Sequence, residues 1–252
     1  MTPVVLLRHG HSVWNEARRF TGWADVPLSA HGREQTRAAA DLLRAHGFSF
    51  DIAFSSALRR SIETLSIVLD VLALSIPVQT SWRLNERHYG ALQGMSRADV
   101  ARRYGHRQVT IWQQHFEIAP PARGTGDGLV DMDPRDAGPD NREPLTESLR
   151  DVRARVLPYW RDALVPAIRA GRRVLVVAHG NSLRALTTWL DGVPEPDIPR
   201  VKRPLTGAPF VYEFDRDANP LRRYEIRRQS RAWHWVKARL ASTVQRTADG
   251  PG

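Results

Sequence analysis

The chain has 252 residues, of which 42% are hydrophobic and 25% are charged, enough for one globular domain with a large core. It contains no cysteine, which excludes disulfide bonds and thiolate chemistry and is compatible with the cytoplasm. No apolar run approaches the roughly 20 residues that span a bilayer. The N-terminus lacks the basic and apolar segments of a secretory signal. We therefore expect a cytoplasmic protein with no membrane partner.

The formal net charge of +10 is distributed unevenly. Residues 221–252 hold eight Lys or Arg and two acidic residues, so they contribute +6, whereas the first 220 residues contribute +4. A basic tail can bind nucleic acid or a membrane surface, and it can also be merely solvated. We favour the solvated tail and expect no nucleic-acid partner. The predicted organisation is a domain over residues 1–226, followed by a basic tail over residues 227–252.

The first predicted element is a strand at residues 4–7, whose unbroken apolar run is typical of a strand buried on both faces of a parallel sheet. His9 follows at the end of this strand, where open α/β sheets bind ligands. Gly10 allows a turn and a close approach to a ligand. Residues 12–23 are predicted to form a loop. Its Ser, Asn and Thr side chains either donate to a phosphate or serve only turn chemistry.

The next elements alternate between helix and strand. Ser29 is the predicted N-cap of a helix that Gly47 ends. A strand over residues 51–55 and a helix over residues 57–73 follow, and then a strand over residues 77–80. Arg59 and Arg60 lie in the first turn of the second helix, where cations oppose the helix dipole. These arginines are either exposed surface residues or the ligands of an anion.

Residues 84–94 are dense in groups that donate, accept and transfer protons. Within this segment Glu86 is a candidate acid and base, with a surface salt bridge as the alternative. A helix is predicted from Ser96 to Gly105, and a further helical stretch to about Phe116. Residues 117–145, rich in Pro, Gly and Asp, predict an irregular lid or insertion.

The second half repeats the design of the first strand. A long helix from Thr146 to about Ala170, interrupted at Pro158 and Pro166, precedes a buried strand at residues 174–178 that leads into His179. A helix over residues 182–190 would favour phosphate at its N-terminus. An edge strand over residues 210–214 and another strand over residues 221–226 complete the pattern.

This alternation predicts an α/β fold with three layers, α/β/α, and a mostly parallel central sheet. If the strands before His9 and His179 are parallel neighbours, the two imidazoles meet at one edge of the sheet. Together with Arg8 they would form a site for an anion. Either histidine alone is commonly structural, but the pair at equivalent strand ends indicates function.

Four segments carry a resemblance to a known family. They are Leu-Leu-Arg-His-Gly-His-Ser-Val-Trp-Asn at 6–15, Phe-Thr-Gly-Trp at 20–23, Leu-Asn-Glu-Arg-His-Tyr-Gly-Ala-Leu-Gln-Gly at 84–94 and Ala-His-Gly-Asn-Ser-Leu-Arg-Ala-Leu at 178–186. The chain resembles the cofactor-dependent phosphoglycerate mutases of the histidine phosphatase superfamily from residue 4 to about residue 224. Arg-His-Gly marks only the superfamily, whereas the segment at 84–94 is specific to the mutases.

The resemblance implies a role for each matching residue. His9 would be the nucleophile that carries the phosphoryl group, and Glu86 the general acid and base for the substrate hydroxyl. The charge of the phosphoryl group would be offset by Arg8, Arg60 and His179. The substrate pocket would be lined by Ser12, Asn15, Thr21, Gly22, Tyr89, Gly180 and Asn181. No metal is implied, because arginines stabilise the charge.

The sequence departs from the mutases at several positions. His11 replaces an acid of the family, and Arg97 replaces a lysine in the substrate region. Gln113 and Gln114 stand where the family has two adjacent arginines that hold substrate. The tail also has no match.

The sequence is compatible with three functions. The first is a mutase that interconverts 3-phosphoglycerate and 2-phosphoglycerate in glycolysis and gluconeogenesis, primed by 2,3-bisphosphoglycerate. The second is a phosphatase of the same superfamily that acts on a small phosphorylated metabolite. The third is a binding or regulatory protein that keeps the fold. We favour the mutase, for which the family implies a homodimer or homotetramer.

Overall fold

The computed structural model describes residues 1–124 and 144–226, which form a six-stranded sheet with helices on both faces. The strands are β1 (Thr2–Arg8), β2 (Ile52–Ser55), β3 (Val78–Thr80), β4 (Val174–Ala178), β5 (Pro209–Phe214) and β6 (Pro220–Glu225). The helices are α1 (Val13–Glu16), α2 (Ala30–Ala45), α3 (Arg59–Leu72), α4 (Arg97–Tyr104), α5 (His106–Gln114), α6 (Leu149–Tyr159), α7 (Val165–Arg169) and α8 (Gly180–Leu190). Most of the predicted lid at 117–145 and all of the tail at 227–252 lie outside the described residues.

The strand order in the sheet is β3-β2-β4-β1-β5-β6. β1, β2, β3 and β4 run parallel to one another, whereas β5 pairs antiparallel with both β1 and β6. The predicted three-layer fold with a mostly parallel sheet is therefore confirmed. Because β1 and β4 are hydrogen-bonded parallel neighbours, Arg8 lies opposite Ala178 and the two strands end at the same edge.

Alternate residues of β1 contribute to two separate cores, one on each face of the sheet. Val4 and Leu6 pack with residues of α6 and α8, whereas Val5 and Leu7 pack with residues of α2 and α3. Successive side chains of a strand point to opposite faces, so a strand covered on both sides must be apolar at every position. The run at residues 4–7 is therefore apolar without interruption because β1 is covered on both faces.

Polar caps set where several helices begin. The side chain of Ser29 accepts a hydrogen bond from the backbone N–H of Gly32, and the side chain of Ser148 accepts one from Asp151. Each cap satisfies a donor that the first turn of a helix otherwise leaves unpaired. The predicted start of α2 at Ser29 is confirmed. Among the described residues, no helix is long and apolar enough to cross a membrane.

Four local predictions were wrong in detail. β5 is not an edge strand, because β6 covers its outer side. The predicted loop at 12–23 contains the short helix α1, capped by Ser12. α8 begins at Gly180 rather than at Ser182. The helix predicted from Thr146 starts at Leu149, continues through Pro158 and then widens into a π-helical turn over residues 160–164 before α7.

Candidate active site

The two histidines predicted at strand ends lie side by side. The ring centroids of His9 and His179 are 4.8 Å apart, and both side chains are buried. The backbone N–H of His9 donates to the carbonyl of Ala178 at 3.0 Å, which continues the ladder between β1 and β4 to the edge of the sheet. The parallel pairing of these strands therefore brings together two imidazoles that are 170 residues apart in the sequence.

Gly10 is needed here for packing. A Cβ atom at Gly10 would lie 2.3 Å from the carbonyl oxygen of Gly32 in α2. This distance is far shorter than a van der Waals contact, so a side chain would push the end of β1 away from the helix. Gly10 thus allows the end of β1, which carries His9, to lie against α2. The predicted close approach of Gly10 is to the backbone of Gly32 and not to a ligand.

One hydrogen bond fixes the orientation and tautomer of His9. Its Nδ1 lies 2.6 Å from the carbonyl oxygen of Gly10. A carbonyl can only accept, so Nδ1 carries the proton and Nε2 keeps its lone pair. Burial lowers the pKa of His9 well below its ordinary value, and the charges of Arg60 and Arg8 lower it further. A neutral imidazole with a free Nε2 is the form that can act as a nucleophile.

Two arginines flank this imidazole. Arg60 is buried and donates to the carbonyls of Ala24 at 2.9 Å and Gly22 at 2.7 Å. Burial lowers its pKa to about 10, so it remains a cation at neutral pH. Arg8 donates to the carbonyl of Pro204 at 2.9 Å, and its Nε has no hydrogen-bond partner. Neither arginine forms an ion pair with a carboxylate among the described residues, so their charge is available to an anion.

His179 is oriented through Ser56 and Asn85. The Ser56 hydroxyl donates to Asn85 Oδ1 at 2.8 Å, and His179 Nε2 lies 2.7 Å from the same hydroxyl oxygen. His179 Nε2 therefore carries the proton, which leaves Nδ1 buried and without a partner. Burial and the charge of Arg60 lower the pKa of His179 well below its ordinary value. An anion at the site would favour protonation of Nδ1, which could then donate to that anion.

Glu86 faces the same cleft as a hydrogen-bonded carboxylate. It accepts from the backbone N–H of Arg87 at 2.8 Å and from the side-chain amide of Asn181 at 2.8 Å. Burial alone would raise the pKa of Glu86, but Arg8 and these hydrogen bonds bring it below its ordinary value. In this state Glu86 is an acceptor that can take a proton from a hydroxyl group or water.

Most of the predicted site residues line one narrow cleft, which we call the His9 cleft. These residues are Arg8, His9, Asn15, Thr21, Gly22, Arg60, Glu86, Tyr89 and Arg97. Asn181 lies behind the cleft and donates to both Glu86 and Tyr89. Gly180 has no side chain to obstruct Arg8, whose Cζ would lie 3.2 Å from a Cβ there. Ser12 does not line the cleft; its hydroxyl caps α1.

Gln113 and Gln114 line a second cavity of about 590 Å³ beside the His9 cleft, which we call the basic cavity. The buried Arg184 donates to the backbone carbonyls of both glutamines and to that of Ile198. The arginines Arg8, Arg97 and Arg203 line both the His9 cleft and the basic cavity. The two spaces are therefore adjacent, and the positive charge of these three arginines lies between them.

The sequence reasoning missed three residues that shape the site. Ser56 and Asn85 orient His179, and Arg203 lines the cleft. The strand-end argument used for His9 also applies to Ser56, which follows β2, the parallel neighbour of β4. Arg203 belongs to the run Arg-Val-Lys-Arg at 200–203, whose charge density was the available signal.

The mostly parallel sheet, the paired histidines and the surrounding arginines define an α/β protein with a buried, positively charged histidine site. The chain belongs to branch 1 of the histidine phosphatase superfamily, whose model matches residues 4–227. The resemblance is thus confirmed at the level of the superfamily.

Solved structures similar to this chain include phosphatases. A mycobacterial glucosyl-3-phosphoglycerate phosphatase in complex with VO3 is 28% identical to this chain, with a TM-score of 0.63. The match covers 84% of this chain and 93% of the phosphatase chain. The alpha-ribazole phosphatase from Shigella flexneri is 23% identical, with a TM-score of 0.63, and the match covers 87% of this chain and 94% of that phosphatase. YhfR from Bacillus stearothermophilus is 23% identical, with a TM-score of 0.67, and the match covers 88% of this chain and 95% of YhfR. The last two support the fold alone.

Proposed function

We propose that the chain is a phosphatase that transfers the phosphoryl group of a small phosphorylated metabolite first to His9 and then to water. The observation that carries this proposal is the neutral His9 imidazole, with Nε2 free, between the cations Arg8 and Arg60. The family also supports it, as does the similarity to a phosphatase at 28% identity.

In the first step, Nε2 of His9 would attack phosphorus, and the bond to the ester oxygen would break. That oxygen needs a proton, which Glu86 could supply. A phosphate beside Arg8 offsets the charge that lowers the pKa of Glu86, so binding would favour protonation of the carboxyl group. In the second step, water would attack the phosphohistidine and return a proton to Glu86. Arg8, Arg60 and a protonated His179 would offset the transferring charge.

A mutase is the second candidate, and one feature favours it. The segment at 84–94, which resembles the mutases, places Glu86 and Tyr89 in the His9 cleft. In a mutase the phosphohistidine would return its phosphoryl group to a second hydroxyl, and 2,3-bisphosphoglycerate would prime His9. The cations of the basic cavity suit the charge of such a donor. Gln113 and Gln114 supply only neutral donors.

Product analysis separates the two candidates. We would incubate the protein with 3-phosphoglycerate, with and without 2,3-bisphosphoglycerate, and measure inorganic phosphate and 2-phosphoglycerate in the same samples. A panel of other phosphomonoesters would test hydrolysis. The phosphatase predicts phosphate release that needs no primer. The mutase predicts primer-dependent 2-phosphoglycerate with little phosphate release. If neither inorganic phosphate nor 2-phosphoglycerate forms from any ester, both candidates are contradicted. The variant His9→Ala is the background control.

A further inference from the structure

The two carboxylate oxygens of Glu86 have different surroundings. Oε1 accepts three hydrogen bonds, from the backbone N–H groups of Arg87 at 2.8 Å and Asn181 at 3.1 Å and from Nδ2 of Asn181 at 2.8 Å. Oε2 has no hydrogen-bond partner among the described residues and is not one of their fully enclosed polar atoms. Because Glu86 lines the His9 cleft, Oε2 is the oxygen that opens into the cleft.

Asn181 has no donor left for a ligand. It is fully buried, and its backbone N–H and one amide hydrogen go to Glu86, while the other amide hydrogen goes to the Tyr89 hydroxyl at 3.0 Å. An amide NH₂ group has only these two hydrogens. The amide cannot be turned round, because its oxygen would then face the Glu86 carboxylate. Asn181 therefore acts on neighbouring side chains.

Two elements hold Asn181 in this position. It lies in the first turn of α8, which begins at Gly180, so its backbone N–H has no partner within the helix. A carboxylate is favoured at such a helix end. On the other side, the Tyr89 hydroxyl that accepts from Asn181 also accepts from Nη1 of Arg203 at 3.2 Å. The orientation of the Glu86 carboxylate is thus fixed to the helix that follows His179.

We propose that Asn181 is a positioning residue that holds Oε1 of Glu86, so that Oε2 is the atom that gives and takes the proton. The inference rests on the proposed function, which makes Glu86 the acid and base. In the first step, Oε2 passes its proton to the ester oxygen as the bond from that oxygen to phosphorus breaks. In the second, water bonds to phosphorus and its proton returns to Oε2. This role replaces the substrate contact that the resemblance implies for Asn181.

The first test needs no substrate. NMR would titrate the carbon-13-labelled side-chain carboxyl of Glu86, whose signal is assigned by its loss in Glu86→Gln. The variant Asn181→Leu removes the amide donor with little change of shape, and Asn181→Asp also places a negative charge beside Oε1. The pKa of Glu86 should rise in the first variant and rise further in the second, although Arg8 and Arg203 still lower it. A pKa that stays at its wild-type value in both variants would overturn the proposal.

Turnover separates positioning from substrate contact. With an alkyl phosphate, whose leaving oxygen needs a proton, Asn181→Leu should lower kcat by about 10- to 100-fold, as loss of a hydrogen bond to a charged group predicts. KM should stay within about threefold. With p-nitrophenyl phosphate, whose leaving group needs no proton, the burst of p-nitrophenol should keep its wild-type rate.

The matched control is Asn219→Leu, at an exposed position in the turn after β5. It removes another hydrogen bond from an amide to a carboxylate, which joins Asn219 Nδ2 to Asp215 Oδ2 at 3.0 Å. This turn lies beside the start of β1, at the opposite edge of the sheet from His9, so kcat and the burst should not change. Unchanged thermal melting would show that each variant is folded.

The double variant Glu86→Gln with Asn181→Leu completes the test. Because Asn181 acts through Glu86, its change should lower kcat by less than about threefold once Glu86 is replaced. An equal loss in both backgrounds, or a KM that rises for both esters, would overturn the proposal and make Asn181 a substrate contact. Failure of the proposed function looks different. In that case the wild type would hydrolyse no phosphomonoester, while Asn181→Leu would still raise the pKa of Glu86.

Discussion

Glu86 shows how neighbours decide the protonation of a buried acid. Its carboxylate accepts hydrogen bonds from the backbone N–H groups of Arg87 and Asn181 and from the Asn181 side chain. These donors and Arg8 outweigh burial, so the pKa of Glu86 falls below its ordinary value. These surroundings hold Glu86 as a base, and in the proposed mechanism the charge of the substrate phosphate turns it into an acid.

The variant Glu86→Gln keeps the size of the side chain and removes its titration. With an alkyl phosphate we expect turnover to fall by about 100-fold or more, the range typical of general acid–base catalysis. With p-nitrophenyl phosphate the leaving group needs no proton. A burst of about one p-nitrophenol per chain should survive, followed by slow turnover. Stopped-flow absorbance would measure both phases.

The matched control for this variant is Glu34→Gln, at an exposed position of α2. It should leave the burst and the steady-state rate unchanged. If Glu86→Gln hydrolyses alkyl phosphates at the wild-type rate, the carboxyl group serves only to position its neighbours.

At the residue scale, the sequence predicted side chains that follow directly from a buried strand. His9 and His179 could be found because each comes within two residues of the end of an apolar run, and the ends of these runs define an edge of the sheet. Arg203 could not be found in this way. It lies in an irregular segment after a short 3₁₀-helix, and only the folded chain places that segment over Arg8.

At the scale of elements, α6 anchors the segment that carries Glu86. Arg155 on α6 forms a buried ion pair with Glu147 and donates to the carbonyls of Arg83, Asn85 and Glu86. Five guanidinium donors in a fixed geometry suit this set of acceptors. The segment before Tyr89 has little regular structure of its own, so this side chain substitutes for a hydrogen-bonded strand.

The variant Arg155→Met should therefore destabilise the fold strongly. It leaves the buried Glu147 carboxylate without its ion-pair partner and leaves three carbonyls without this donor. We expect the free energy of unfolding in urea to fall by about 3–5 kcal/mol, the cost of breaking a buried pair from one side.

Arg161→Met, at an exposed position shortly after α6, is the control for the change of side chain. It should alter the free energy of unfolding by no more than about 0.5 kcal/mol. A loss in Arg155→Met no larger than this control would show that α6 does not hold the Glu86 segment.

The sequence predicted where strands and helices lie in the chain better than it predicted which strands pair with each other. The apolar run of β5 predicted a strand, but its neighbours depend on how the antiparallel pairs β1/β5 and β5/β6 close, which no local pattern specifies. Pro158 predicted a break in the helix. Instead the helix continues through Pro158, and a π-helical turn follows it at residues 160–164.

At the scale of the whole molecule, the buried histidines His9 and His179 link stability to pH. Their pKa values lie well below the ordinary value in the folded chain, whereas an unfolded histidine titrates near about 6.5. Below this pH the unfolded chain binds protons that the folded chain does not bind. Stability should therefore be fully present above about pH 6.5 and fall as the pH decreases, by at most about 1.4 kcal/mol per histidine per pH unit.

The variant His179→Gln removes one of these groups. Between about pH 6.5 and pH 5.5 its free energy of unfolding should fall less steeply than that of the wild type, by up to about 1.4 kcal/mol per pH unit. Urea titrations at several pH values would give both slopes. Equal slopes for His179→Gln and the wild type would contradict the buried neutral state of His179.

The layered architecture could be predicted because its cause is local. A strand covered on both faces must be apolar throughout, and Val4–Leu7 and Val174–Ala178 meet that requirement. The basic tail and most of the predicted lid lie outside the described residues, so both stay predictions. So do the homodimer or homotetramer, the 2,3-bisphosphoglycerate primer and the cytoplasmic location.

Both candidate functions require that His9 carries the phosphoryl group. The protein would be mixed with p-nitrophenyl phosphate or 2,3-bisphosphoglycerate and quenched in alkaline denaturant. Intact mass and peptide mapping would then follow. We expect one phosphoryl group per chain, on His9, that is stable in base, lost in acid and absent from His9→Ala. An adduct that persists in His9→Ala, or that maps to another residue, would contradict it.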